Sequence, residues 1–143
     1  MDTKKIVLIG DANVGKTTFV QRLLNGNYQD KYIPTLGVEV EPIRRGNKCY
    51  NIWDCAGDPR FRGLGDGYYI QSHGAIVMCD ASNPTSMQNV TKWANEYRRI
   101  CNNNIVIVIN KSDLYLEPIK EGDYVVISCL NNENLDKVLS YFN

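Results

Sequence analysis

The sequence has one histidine, no net charge and no closely spaced cysteine pair. Sixteen basic side chains balance sixteen acidic ones. No overall field therefore favours nucleic acid or an anionic membrane, and any anion site has to be built locally. The lone histidine, His73, lies beside the apolar run that begins at Ala75 and suits a surface or capping role better than catalysis. Five cysteines (Cys49, Cys55, Cys79, Cys101, Cys129) are scattered without a CxxC pair and sit mostly inside apolar runs. That placement predicts reduced, buried thiols and argues against zinc or redox chemistry. Ahead of Gly10 and Asp11 only four consecutive strong apolar residues occur, too few for a signal-peptide core or a spanning helix. A cytoplasmic protein is expected. Position 2 is Asp and the last cysteine is Cys129, so the residues that carry N-myristoyl and C-terminal prenyl groups are missing and no lipid anchor is expected. There is no repeat, low-complexity tract or linker, and 143 residues with 43% hydrophobic content fit a single domain over 1–143.

What is present is a rhythm. Short apolar runs (Ile6 to Ile9, Ala75 to Cys79, Ile105 to Ile109, Val125 to Ile127) alternate with helical patterns (Lys16 to Leu24, Ser86 to Ile100, Leu135 to Phe142). Alternation of this kind predicts an α/β fold in which a parallel sheet carries helices on both faces. Met87, Val90, Trp93, Ala94, Tyr97 and Ile100 recur at three-to-four spacing, which places Trp93 in the core of a helix–sheet interface rather than on a ligand platform. Val38, Val40 and Ile43 lead through Arg44-Arg45-Gly46-Asn47 into Cys49 to Trp53, the pattern of a hairpin that adds one antiparallel edge strand. Ligands of such sheets bind at the carboxyl ends of the strands.

The chemistry is concentrated there. After the first strand, Gly10-Asp11-Ala12-Asn13-Val14-Gly15-Lys16-Thr17 satisfies G-x-x-x-x-G-K-[ST] in its strand–loop–helix context. Glycines let the backbone wrap closely, and the N–H groups from Asp11 to Thr18, with the positive end of the following helix, are suited to a polyphosphate. Lys16 adds a mobile charge for the outer phosphates, and Thr17 offers a hydroxyl to Mg2+, a cation that takes oxygen ligands. The motif indicates a nucleoside triphosphate and says nothing of the base.

The base is addressed by Asn110-Lys111-Ser112-Asp113, which follows the strand Ile105 to Ile109 directly. A carboxylate at Asp113 can accept from the ring N–H and the exocyclic amine of guanine, whereas adenine presents no such donor pair. Unpaired buried polar groups cost about 1–3 kcal/mol. Lys111 can lay its aliphatic stem along the base, and Asn110 is placed to tie this loop to the phosphate loop.

With these motifs in order, the chain resembles the Ras superfamily of small GTPases over essentially its whole length. The stretches from Tyr32 to Val40 and from Gly63 to Gln71 look most like the Ran branch, with Rab the near neighbour. The resemblance implies a P-loop NTPase fold of the Ras-like type: a six-stranded, mostly parallel sheet with one antiparallel edge strand. It implies a molecular switch that binds Mg2+ with GTP or GDP and hydrolyses GTP. Thr35 would close over Mg2+ and the terminal phosphate, and Tyr28, with Tyr32, would belong to the nucleotide-binding set, Tyr28 packing against guanine. In Asp54-Cys55-Ala56-Gly57, Asp54 would hold Mg2+ through water and the Gly57 N–H would sense the terminal phosphate. Ser128-Cys129 falls where a main-chain N–H contacts the guanine oxygen. Lys16, Thr35, Gly57 and Asp58 would make up the catalytic set. Expected partners are guanine nucleotide and the effector, exchange and activating proteins that read the switch segments, with the chain monomeric. A nuclear location follows if the Ran resemblance extends to function.

The departures from the pattern are as informative. Asp58 stands where the family usually carries a glutamine whose amide orients the attacking water. The aspartate is shorter, lacks the amide donor and adds negative charge, so slow hydrolysis is expected; Arg60 or Arg62 could offset that charge. Side chains at Ala12 and Asn13 would crowd an arginine supplied by an activating protein, and Leu130 replaces a lysine near the base. Between Asp113 and Ser128, the stretch Leu114 to Asp123 is broken by Pro118 and Gly122, so the family helix expected there is reduced to a loop or missing. The sequence ends one residue beyond Phe142, without the cysteine-bearing tail of Rab or the extension of Ran. The alternative to a slow switch is therefore a GTP-locked binding module that mimics, or sequesters the regulators of, a host small GTPase.

Overall fold

The computed structural model describes residues 2–24, 32–33, 38–55, 65–110, 123–127 and 134–143. In chain order the elements are β1 (Asp2–Gly10), α1 (Lys16–Leu23), β2 (Tyr32–Ile33), β3 (Val38–Arg45), β4 (Lys48–Cys55), α2 (Gly65–Tyr69), β5 (Gly74–Asp80), α3 (Pro84–Gln88), α4 (Val90–Ile100), β6 (Asn104–Asn110), β7 (Asp123–Val126) and α5 (Leu135–Leu139), which a 3-10 turn at Ser140–Phe142 follows. Among the described residues the strands form one seven-stranded sheet in the order β2-β3-β4-β1-β5-β6-β7. Six of these are the strands the sequence predicts; the two-residue β2 extends the sheet beyond the hairpin. β1 pairs in parallel with β4 and β5, and β5–β6–β7 continue in parallel. Only β3 runs against the others, antiparallel to β2 and β4, with the turn at Gly46-Asn47.

Both faces of the sheet are covered, and that dictates the sequence of its central strand. Ile6, Val7, Leu8 and Ile9 are all buried. A strand exposed on one face would alternate apolar with polar; one covered on both faces reads as a continuous apolar run. The pleat then deals the side chains to two cores. Ile6 and Leu8 pack with Phe19, Leu23, Ile52, Ile76, Met78 and Val138, beneath α1 and α5. Val7 and Ile9 pack with Val77, Trp93, Ala94, Tyr97 and Ile107, beneath α4. Each large apolar side chain so buried contributes about 1.5–3 kcal/mol relative to exposure.

The stretch from Ser86 to Ile100, which the sequence presents as one helix, is two. Asn83 caps α3, its Oδ1 accepting from the Ser86 N–H at 3.2 Å, and Pro84 occupies the first turn, where a missing N–H costs nothing. The helix is interrupted at Asn89, whose φ of −82° and ψ of −3° stay in the right-handed helical region but open ψ from its usual value, while its N–H still reaches the Thr85 carbonyl at 3.1 Å. Periodicity could not show this break, because α4 resumes in phase: Val90, Trp93, Ala94 and Tyr97 still form one buried stripe. Asn89 uses its side chain on another part of the molecule, as described below.

Cys49, Cys55 and Cys79 are buried free thiols and Cys101 is half-buried. Burial pushes the Cys79 thiol up to about 12 and raises that of Cys55 as well, which keeps both protonated and unreactive. His73 accepts at Nδ1 from the Lys5 N–H at 2.9 Å, a capping contact at the start of β5. Among the described residues no helix is long and apolar enough to cross a membrane. The segment from Leu114 to Gly122, with its expected loop, lies outside the described residues.

Candidate functional site

The parallel register brings the carboxyl ends of β1, β4, β5 and β6 together. Gly10 pairs with Met78, Leu8 with Asp54, and Asp80 with Asn110. The loop 11–15 leaves this edge and enters α1. Its shape depends on glycine at two points. Gly10 has φ +148° and a Cβ there would lie 2.2 Å from the Met78 carbonyl oxygen. Gly15 has φ +101°, and a Cβ would lie 2.6 Å from Asn110 Nδ2. L-residues rarely adopt either conformation, and the Gly10 obstacle is backbone that cannot swing aside. Gly10→Ala is accordingly expected to destabilise the fold by at least about 2 kcal/mol. Urea denaturation monitored by circular dichroism would check this, and an unshifted midpoint would contradict it.

Gly15 precedes α1 with no side-chain cap. The first-turn N–H groups of a helix have no partner within the helix, and together with the helix dipole they form a natural anion cradle. Lys16 is buried at the mouth of this cradle, and its amine donates to the Gly10 carbonyl at 3.1 Å and the Asp11 carbonyl at 2.6 Å. Burial lowers its pKa, while the nearby Asp54 and Asp11 act in the opposite direction. A phosphate oxygen would be a stronger acceptor for this amine than either carbonyl.

Thr17 lies one residue on and donates from Oγ1 to Asp54 Oδ2 at 3.0 Å. Asp54 is buried, and burial raises its pKa, opposed by the Thr17 bond and by Lys16. A desolvated carboxylate beside a hydroxyl is a hard oxygen donor set. Mg2+ is usually held by one or two protein oxygens, with water and phosphate completing the shell, so Thr17 and Asp54 fit that cation. When bound, Mg2+ would neutralise charge on the outer phosphates; the protein's part is to hold the two oxygens beside the phosphate cradle. Asn110, at the end of β6, donates from Nδ2 to the Val14 carbonyl at 3.3 Å. That bond joins the strand end that precedes Asp113 to the phosphate loop.

The structure thus brings together Asp11, Ala12, Asn13, Val14, Gly15, Lys16, Thr17, Thr18, Asp54 and Asn110 at one end of the sheet. Ala12 and Asn13 are exposed, and Asn13 has φ +65°. Of Tyr32 the backbone is described, as part of β2. Tyr28, Thr35, Gly57, Asp58, Arg60, Arg62, Lys111, Asp113, Ser128, Cys129 and Leu130 lie outside the described residues. Sequence reasoning missed the two partners of the Asp11 side chain. The carboxylate of Asp11 accepts from Trp93 Nε1 and from Asn89 Nδ2, both at 2.8 Å. An indole N–H in a core stripe needs a partner, which was the available signal; nothing local in the sequence says that the partner is 82 residues away.

A parallel sheet covered on both faces, with a glycine-framed loop feeding a helix N-terminus and a lysine and threonine at its start, defines a P-loop nucleotide-binding domain of the Ras-like type. The profile of the Roc family, described as "Ras of Complex, Roc, domain of DAPkinase", matches residues 5–113. The chain belongs to that family, and through it to the Ras superfamily.

Proposed function

We propose that this chain is a guanine-nucleotide switch that binds Mg2+ with GTP or GDP and hydrolyses GTP slowly. The observation that carries the reading is the convergence of Lys16, the Thr17–Asp54 pair and Asn110 around one glycine-framed loop. Family membership supports guanine over adenine, as does Asp113, whose carboxylate matches the donor pair of guanine. Thr35 and the segment from Asp58 to Gln71 are the switch elements in this reading, ordered by contacts to Mg2+ and the terminal phosphate. Tyr28, Tyr32, Gly57, Lys111, Ser128 and Cys129 complete the nucleotide set. Within the superfamily, the sequences from Tyr32 to Val40 and from Gly63 to Gln71 favour a Ran-like or Rab-like role. The proposal includes one domain over 1–143, a monomer, a cytoplasmic or nuclear setting, and effector and regulator proteins as partners.

Asp58 favours a second reading, a binding module held in the GTP state. The nucleotide released from the protein as purified separates the two. Predominant GDP is expected for a switch that turns over, and predominant GTP for the locked module.

Base choice is tested by displacement of fluorescent GDP. Unlabelled GTP is expected to compete and ATP to fail, and Asp113→Ala is expected to weaken GTP by about 10- to 100-fold through the loss of charge-assisted hydrogen bonds. Tight ATP binding against which GTP cannot compete would overturn the guanine assignment.

A further inference from the structure

A carboxylate is an electrostatic misfit in a loop that must receive a polyphosphate, yet the loop's first variable residue is Asp11. Its side chain is taken up elsewhere. Oδ1 accepts from Trp93 Nε1 and Oδ2 from Asn89 Nδ2, each at 2.8 Å. Trp93 lies in the core on the face of the sheet opposite α1. The main-chain carbonyl of Asp11 accepts from Lys16 Nζ at 2.6 Å, so Asp11 joins the phosphate-binding lysine to α4.

The two donors are placed by the fold for this contact. Asn89 is the single residue that separates α3 from α4, and its amide reaches the loop from that interruption. Trp93 follows one turn later, its ring packed against the sheet and its N–H on the Asp11 carboxylate. Each carboxylate oxygen therefore has a fixed neutral donor.

We propose that Asn89 and Trp93 are positioning residues of the phosphate site: they clasp the Asp11 carboxylate and keep its charge off the bound phosphates, which ties α4 to occupancy of the loop. This rests on the reading of the loop as a nucleotide site, but not on which base the nucleotide carries. Without the clasp the carboxylate would be free to turn toward the bound phosphates, where like charges repel. Asn89 and Trp93 act through Asp11.

The test measures dissociation constants for GTP, ATP and inorganic tripolyphosphate in the presence of Mg2+, using wild-type protein, Asn89→Ala, Asn89→Ala with Trp93→Phe, and each of these with Asp11→Asn. Loss of both donors is expected to weaken whichever of these ligands the wild type binds by about tenfold or more. Asp11→Asn removes the charge, and in the double variant it is expected to return most of that affinity. A merely structural role would lower thermal stability, leave the affinity of the folded protein unchanged and give no such rescue. Unchanged affinity in the double variant, or a loss that Asp11→Asn leaves in place, overturns the clasp. Asn89→Ala alone keeps the comparison available if removal of the indole prevents folding. Wild-type binding of ATP and tripolyphosphate without GTP would sink the guanine assignment while still testing the clasp; binding of none of the three would sink both.

Discussion

Replacing Lys16 with methionine is expected to weaken GTP and GDP by at least about 100-fold while leaving the ligand-free protein folded. In the proposed site the ammonium would bind the outer phosphates, and charge-assisted hydrogen bonds of this kind are worth about 1.5–3 kcal/mol each. Two such bonds lost correspond to two or more decades in affinity. The effect on the ligand-free fold is smaller because opposing terms offset one another. Burial disfavours the charged amine and lowers its pKa, so a methionine of similar length removes a desolvation cost. The same change removes the donor to the Gly10 and Asp11 carbonyls. A net change within about 1 kcal/mol follows from these opposing terms. Thermal unfolding with and without nucleotide reads both quantities together. The wild-type midpoint should rise with GTP by mass action, and that of Lys16→Met should not. A variant still stabilised by GTP to the wild-type extent would remove Lys16 from the site.

The second large effect lies at Asp58. Asp58→Gln is expected to accelerate single-turnover GTP hydrolysis by about 10- to 1,000-fold, equivalent to about 1.4–4 kcal/mol of barrier. Glutamine offers both a carbonyl to accept from the attacking water and an amide N–H to orient it, without adding charge beside the phosphates. Aspartate supplies acceptors only, and when ionised it repels the charge that spreads over the transferring group. The comparison is the decay of bound GTP in wild type and variant, with nucleotide affinity measured in parallel. The variant should bind GTP as wild type does, because the proposed site puts the phosphate, magnesium and base contacts on other residues. Equal decay in the two proteins would end the slow-hydrolysis proposal and assign the charge compensation to a neighbour such as Arg60 or Arg62.

Much of the fold was legible because its determinants are local. Within the alternation of short apolar runs and helical patterns, the run from Ile6 to Ile9 indicated a strand covered on both faces, and the turn residues Gly46-Asn47 announced the hairpin. Gly10, Gly15, Lys16 and Thr17 point to phosphate chemistry from the sequence because strand, glycine loop and helix follow one another in a single segment. Legibility ended where two distant segments had to meet. The helix from Ser86 to Ile100 read as continuous because its apolar period survives the interruption at Asn89. Trp93 was correctly placed in the core, but the second use of its indole N–H was invisible.

By itself, then, the sequence determined the chemistry that neighbouring residues can complete: the loop, the lysine, the threonine and the alternation of strands and helices. Tertiary structure alone decided which side chains converge. Thr17 meets Asp54 across 37 residues, Trp93 meets Asp11 across 82, and Asn110 meets Val14 across 96. The physical reason is that burying both faces of one parallel sheet fixes the strand order, and strand order carries the loop-bearing carboxyl ends to a single edge. No short-range pattern encodes that order, because it follows from how all the apolar surfaces are covered at once.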